Sequence, residues 1–194
     1  MSLLETLQQR LGGQTVDQIS RKLGTDSGTT SNAIDAALPL LLSAVAHNAS
    51  TGQAQAIDKA VAEDHDGRVL DDVPGFLNQA ESGPGAGILR HVLGGRQQTM
   101  EKGLSQATGL DAGRVSQLLT ILAPLVMGAL GKAKQERGLD AGGLSHLLVN
   151  EQEQLKQSAP GVMGMLSRFL DRNADGSIAD DVGGLIGKTF GNKR

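Results

Sequence analysis

The chain contains no cysteine and very few aromatic residues: three Phe, no Trp and no Tyr among 194 residues. Without cysteine, a disulfide framework, a thiolate zinc site and a cysteine nucleophile are all excluded. The scarcity of aromatic rings leaves few platforms on which nucleic-acid bases could stack. The formal net charge of −3 also differs from the basic surface that favours binding to phosphate backbones.

Long apolar runs are absent as well. The best candidate for a membrane span, residues 118–130, contains Thr120 and Pro124 and is shorter than the roughly 18–20 residues that a spanning helix needs. The first residues lack the basic segment, apolar block and small-residue cleavage site of a secretory signal, and their leucines recur at helical spacing instead. We therefore expect a cytoplasmic protein with no membrane span.

The residues that are present favour a folded, helical protein. Hydrophobic residues make up 39 % of the chain, which is enough for a core, and they recur at helical spacing, as in Val16, Ile19 and Leu23. Alternating runs of β-branched residues are absent. Pro39 and Pro124 lie inside the two longest apolar stretches, where each should kink or divide its helix. The sequence thus predicts an all-α, multihelical fold.

An internal duplication organises the chain. Four landmarks of the first half each recur 85 residues later: Gly24, Asp26, Gly28 and Pro39 correspond to Gly109, Asp111, Gly113 and Pro124. The pattern of residues 66–77, which begins with Asp-Gly, recurs 109 residues later in residues 175–186. We interpret these matches as two related helical repeats, residues 1–94 and 95–194, each with a helix-turn-helix-like hairpin and a Pro-kinked central helix.

Two stretches of this plan carry a family resemblance. One is Gly87-Ile88-Leu89 followed by Leu93-Gly94-Gly95, and the other is residues 169–182, which include Asp175-Gly176 and end in Asp-Asp-Val. Together with the duplication, they resemble the YidB-like family, bacterial domain of unknown function 937, over nearly the whole chain. The resemblance implies an all-helical bacterial cytoplasmic protein, and it implies no activity and no site residues.

An acidic segment near the C-terminus resembles the first half of an EF-hand calcium loop. The residues that could supply oxygen ligands are Asp171, Asn173, Asp175, Ser177 and Asp181. The twelfth position, where such loops carry a bidentate carboxylate, is Val182. The alternative is an Asp-Gly turn followed by carboxylates that cap the next helix. Calcium is the single cofactor that the sequence suggests, and both interpretations stay open.

The first hairpin of each repeat also resembles a helix-turn-helix motif, with a glycine at the turn and apolar residues that wedge the second helix. The polar side chains that could read DNA bases are Thr29, Ser31 and Asn32 in the first repeat and Arg114 and Gln117 in the second. Nearby Asp26, Asp35 and Asp111 would repel phosphate. A packed helical hairpin is the alternative, and we do not favour nucleic-acid binding.

No catalytic set emerges from the sequence. Gly184 and Gly187 precede Lys188-Thr189 as in a phosphate loop, but two residues separate the glycines instead of four. The four histidines lack metal-ligand spacing, and no serine lies in a Gly-x-Ser-x-Gly motif. We therefore predict no catalytic residue. The favoured hypothesis is a non-enzymatic protein-interaction or self-assembly module whose partner is another protein or a second copy of the chain.

Overall fold

The computed structural model describes residues 2–80 and 83–158 of the chain. These residues form nine α-helices: α1 (Leu3–Arg10), α2 (Gln14–Leu23), α3 (Ser27–Asn48), α4 (Ala54–Asp64), α5 (Val73–Gln79), α6 (Gly85–Leu93), α7 (Gln97–Thr108), α8 (Ala112–Arg137) and α9 (Ala141–Ser158). A π-helical turn follows α3, and short 3-10 turns precede α5 and α7. No β-strand occurs in the two described ranges, so the all-α prediction is confirmed there.

The same local chemistry separates α2 from α3 and α7 from α8. Gly24 and Gly109 end α2 and α7 in the left-handed conformation, with φ of 64° and 75°, which glycine adopts without a steric penalty. Asp26 then caps α3 by accepting the backbone N–H of Thr29 at 2.8 Å. Asp111 caps α8 in the same way, accepting from the N–H of Arg114 at 3.0 Å. These short signals fix both helix boundaries.

Neither internal proline divides its helix. α3 continues through Pro39 and α8 continues through Pro124. Each proline lacks the N–H that would bond the carbonyl one turn earlier, but both lie buried in the interior, where tertiary packing holds the helix together. The predicted kink at each position stays a prediction.

α3 and α8 form the centre of the core. Leu38 and Leu41 of α3 and Leu118 and Leu122 of α8 are at most 1 % exposed. α3 packs against α7, α8 and α9, and α8 also packs against α1 and α6. Helices from both predicted repeats therefore contribute to one continuous hydrophobic cluster.

Among the described residues, α8 is long and apolar enough to cross a membrane by length and composition alone. α8 has 26 residues, and it includes a polar turn on each side of the apolar run at 118–130. Inside the fold, 78 % of its most apolar window is buried. The core helix of a soluble protein has the same apolar composition, since every side of it must be shielded from water.

The segment that joins α4 to α5 crosses α8 at two glycines. A Cβ on Gly131 would overlap the carbonyl oxygen of His65, and a Cβ on Gly128 would overlap a methyl group of Val69. Gly67 makes the turn between these contacts with φ of 96°. The close approach therefore depends on the absence of side chains at these positions of α8.

Candidate functional site

A groove of about 710 Å³ lies between α4, α6, the C-terminal end of α3 and Met127 of α8. Its walls are mostly apolar, with Val45, Ile57, Ala60, Ile88, Val92 and Met127 among the lining residues. The polar side chains that line it are Asn48, Gln53, Asp64, His65 and His91. We call this feature the α4–α6 groove. Its volume lies within the range of binding clefts, roughly 300–1,000 Å³, and its mixture of apolar walls and few polar groups is typical of them.

Helical spacing places the apolar side chains on the groove. Ile57 and Ala60 are three residues apart on α4, and Ile88 and Val92 are four residues apart on α6, so each pair shares one face of its helix. Ile57, Ala60 and Ile88 are only partly buried, although they pack against the core. The groove therefore exposes apolar surface that the described helices leave uncovered.

A buried amide fixes the α6 wall to α3. Asn48 is 6 % exposed, and its Nδ2 donates to the backbone carbonyl of Val92 at 2.9 Å and to that of His91 at 3.4 Å. These carbonyls belong to the last turn of α6, where no further backbone N–H is available from the helix itself. Arg96 donates to Oδ1 of the same side chain at 3.5 Å. The end of α6 is thus satisfied by a residue of α3.

An ion pair fixes the α4 wall to α8. Nζ of Lys134 contacts a carboxylate oxygen of Asp58, and it also donates to the backbone carbonyl of Leu139 at 3.0 Å. The side chains of Lys134 and Asp58 are 19 % and 23 % exposed, so solvent screens this pair less than a surface pair. Because contacts within the fold hold both walls, the groove is already formed in the structure without a partner.

Two histidines near this region have lowered pKa values. Burial lowers the pKa of His65 below its ordinary value, while the charges of Asp64 and Asp66 raise it in part. Burial also lowers the pKa of His47, and the positive charge of Arg96 acts in the same direction. The fold therefore favours neutral imidazoles at both positions.

We expect the free energy of unfolding to decrease as the pH falls below about 6.5, the ordinary pKa of histidine. Both folded-state pKa values are lowered, so the unfolded chain binds more protons in this window. The full stability is present above the unfolded pKa and is lost progressively towards the folded pKa. Urea unfolding at pH 7.5 and pH 5.5 measures the difference, and a His47→Gln, His65→Gln double variant should reduce it. The control is His146→Gln, which changes an exposed histidine. If the double variant loses as much stability between pH 7.5 and pH 5.5 as this control does, the assignment is contradicted.

The structure places the predicted DNA-reading residues in the first two turns of α3 and α8. The hydroxyl of Thr29 donates to Asp26 at 2.7 Å, so it belongs to the helix cap. Ser31 and Gln117 are partly buried, and Asn32 is exposed. Contact of these side chains with nucleic acid stays a prediction.

Arg114 has a clear structural role. Its Nε donates to the carbonyl of Leu23 at 2.8 Å, and Nη2 contacts the carbonyl of Gly24 at 3.4 Å. Nη1 donates to Asp111 at 2.8 Å. A cation at the end of α2 opposes the negative end of that helix dipole. Arg114 thus links the α7–α8 hairpin to the α2–α3 hairpin.

Hydrogen bonds at the two caps also lower carboxyl pKa values. The pKa of Asp26 lies below its ordinary value, first because the side chain of Thr29 donates to it and then because the backbone of Thr29 does. The pKa of Asp111 is lowered first by the backbone N–H of Arg114. Both carboxylates stay charged at neutral pH next to the positive ends of α3 and α8.

The proposed calcium ligands Asp171, Asn173, Asp175, Ser177 and Asp181 lie outside the described residues. Their counterpart in the first repeat is described. Asp66 accepts from the N–H of Arg68 at 3.1 Å, Asp71 pairs with Lys132 at 3.1 Å, and Asp72 caps α5 by accepting from Gly75 at 2.9 Å. In residues 2–80 and 83–158, no group of three or more His, Asp or Glu side chains could hold a metal ion. In the first repeat, this segment is therefore a turn followed by a helix cap.

The α4–α6 groove could not be predicted from the sequence. Its walls come from four separate helices, and the distances between those helices are set by packing. The helical spacing of the apolar residues in α4 and α6 indicates an apolar face on each helix. The same spacing occurs on fully buried helix faces, so it does not distinguish a groove wall from the core. The close contacts at Gly128 and Gly131 could not be predicted, because a glycine inside an apolar helix does not show which segment of the chain packs against it.

The described residues define a class of protein: an all-helical fold with one hydrophobic core and an apolar groove. A family model described as a bacterial protein of unknown function (DUF937) matches residues 5–133. This match covers more than half of the chain, so the chain belongs to that family, and the YidB-like resemblance is consistent with it. The matched range contains all the residues that line the groove. No curated protein and no solved structure matches the chain.

Proposed function

We propose that this protein is a non-enzymatic, cytoplasmic interaction module that binds an amphipathic α-helix of a partner protein in the α4–α6 groove. The observation that carries the proposal is the set of half-buried apolar side chains, Ile57, Ala60 and Ile88, facing a pre-formed groove. Binding of an amphipathic helix in an apolar groove is a recurring mode of recognition between proteins. A partner helix would bury this apolar surface, and Asp64 and His65 would offer polar contacts beside it.

We also propose that the two hairpins of the fold are related by duplication. The support is local: both hairpins have a left-handed glycine, an Asp cap and a long helix with an internal proline. The described parts of the two proposed repeats, 1–94 and 95–194, nevertheless contribute to one hydrophobic core. In this proposal, duplication supplies the central pair of helices, and the groove forms beside them.

A matched pair of variants on α4 tests the groove. Ala60 lines the groove, whereas Ala62 on the same helix is exposed and does not line it. Amphipathic helical peptides selected from a displayed library on the wild-type chain are measured by fluorescence anisotropy. We expect Ala60→Glu to weaken their binding at least about tenfold, because it places a charge against apolar surface. Ala62→Glu should leave the binding unchanged.

The proposal fails if the library yields no binder, or if the two variants bind the selected peptides equally well. Light scattering of the wild-type chain and both variants gives a second readout. If the wild-type chain dimerises and only Ala60→Glu dissociates the dimer, the groove binds a second copy of the chain. That result would overturn the assignment of a foreign helix as the occupant.

A further inference from the structure

Asp64 places an acidic side chain at one end of the α4–α6 groove. Of the described residues that line the groove, it is the single Asp, Glu, Lys or Arg. Asp64 is the last residue of α4, and its side chain is exposed. Ile57 and Ala60 lie seven and four residues earlier in the same helix, so helical spacing places all three on one face. The apolar stripe of α4 therefore ends at a carboxylate.

The carboxylates around Asp64 have basic partners, and Asp64 does not. Four carboxylates of α4 and of the segment after it each pair with a basic side chain: Asp58 with Lys134, Glu63 with Lys59, Asp66 with Arg68, and Asp71 with Lys132. Within residues 2–80 and 83–158, Asp64 forms no such pair. Burial lowers the pKa of the adjacent His65, so a neutral imidazole is favoured there. The negative charge of Asp64 is thus left unbalanced beside the groove.

The backbone at the end of α4 adds to this negative charge. The last carbonyls of a helix have no partner within it, and they form the negative end of the helix dipole. At the end of α2, the backbone N–H of Gly24 bonds two such carbonyls. In the described part of the chain, no backbone N–H from beyond α4 bonds its last carbonyls, and its last turn contains no basic residue. A carboxylate at this end is unfavourable for the helix, whereas a cation is favourable.

We propose that the partner helix carries a lysine or arginine that pairs with Asp64, so that the groove selects basic amphipathic helices over neutral and acidic ones. This inference rests on the proposed function, because it takes an amphipathic helix as the occupant of the groove. Opposite charges at an interface favour the correct partner and fix its register.

The length of α4 between its apolar and acidic positions sets the spacing in the partner. A helix rises about 1.5 Å per residue, so Asp64 lies roughly 10 Å beyond Ile57 along α4. A partner helix that lies along α4 covers the same distance in about seven residues, which is two turns. Its basic residue therefore lies about seven positions from the apolar residue that packs on Ile57.

A competition within one peptide library tests this charge preference. Displayed amphipathic helices of about 15 residues carry a leucine at the centre, and the positions about seven residues before and after it hold Lys, Gln or Glu at equal frequency. They are selected on the wild-type chain at low salt. We expect Lys to be enriched over Glu about fivefold or more at one of the two positions. High salt should reduce this enrichment, because it screens exposed charges.

Asp64→Lys and Glu63→Lys are the matched variants. Both change the net charge equally, and Glu63 is exposed but does not line the groove. Asp64→Lys should reverse the preference from Lys to Glu, whereas Glu63→Lys should leave Lys preferred. The ratio compares peptides bound to the same variant, so a moderate loss of stability does not alter it.

The inference is overturned if the wild-type chain enriches Lys and Glu equally, or if Asp64→Lys still prefers Lys. Helices bind the groove in both of these cases, so the proposed function would stand without the charge preference. A library that yields no binder overturns the proposed function and this inference together.

Discussion

Replacing Gly131 with alanine is expected to lower the free energy of unfolding by about 2–3 kcal/mol. The new Cβ would overlap the main-chain carbonyl oxygen of His65. That carbonyl belongs to a segment whose position is fixed by the turn at Gly67 and by the contact of Val69 with Gly128. The segment cannot move away without losing those contacts. Alanine favours a helix over glycine by only about 1 kcal/mol, which is too little to compensate.

Urea unfolding followed by circular dichroism measures this change against a matched substitution, Gly87→Ala. Gly87 also lies within a helix, but no atom approaches within 4 Å of a Cβ built on it. Gly87→Ala should therefore leave the stability unchanged or raise it by up to about 1 kcal/mol. If the two variants have the same stability, the segment between α4 and α5 does not pack on α8 as the structure shows.

Replacing Leu38 with alanine is expected to cost about 2–5 kcal/mol and to leave a single unfolding transition. Leu38 is completely buried in α3, and α3 is surrounded by helices of both predicted repeats. Because neighbouring side chains are fixed from several directions, the cavity cannot collapse easily. Because helices of both predicted repeats share this core, we expect the described residues to unfold in one cooperative transition.

Thermal unfolding followed by calorimetry and by circular dichroism measures both parts of this expectation. Val149→Ala serves as the control, since Val149 is 41 % exposed and its truncation should change the stability by less than about 0.5 kcal/mol. Two separate transitions, with only one of them shifted by Leu38→Ala, would contradict a shared core. That outcome would instead support two independently folding units at residues 1–94 and 95–194.

The helical class and the boundary between α2 and α3 could be predicted because their causes are local. The sequence predicts a glycine at the turn of this hairpin, and Gly24 ends α2 there in the left-handed conformation. The role of Arg114 could not be predicted, although its position was singled out. Its guanidinium bonds the carbonyls of Leu23 and Gly24, some 90 residues away. Such a contact depends on how two hairpins pack, and no spacing in the sequence specifies it.

The sequence by itself determined the helical class and the turns at Gly24 and Gly109, because glycine conformation, side-chain caps and apolar spacing act over a few residues. It also excluded disulfides and thiolate metal sites. Only the tertiary structure decided that helices from both predicted repeats contribute to one core and that Ile57 and Ile88 line the same groove. The physical reason is distance: contacts between helices far apart in the chain depend on three-dimensional packing, which helical periodicity leaves unspecified.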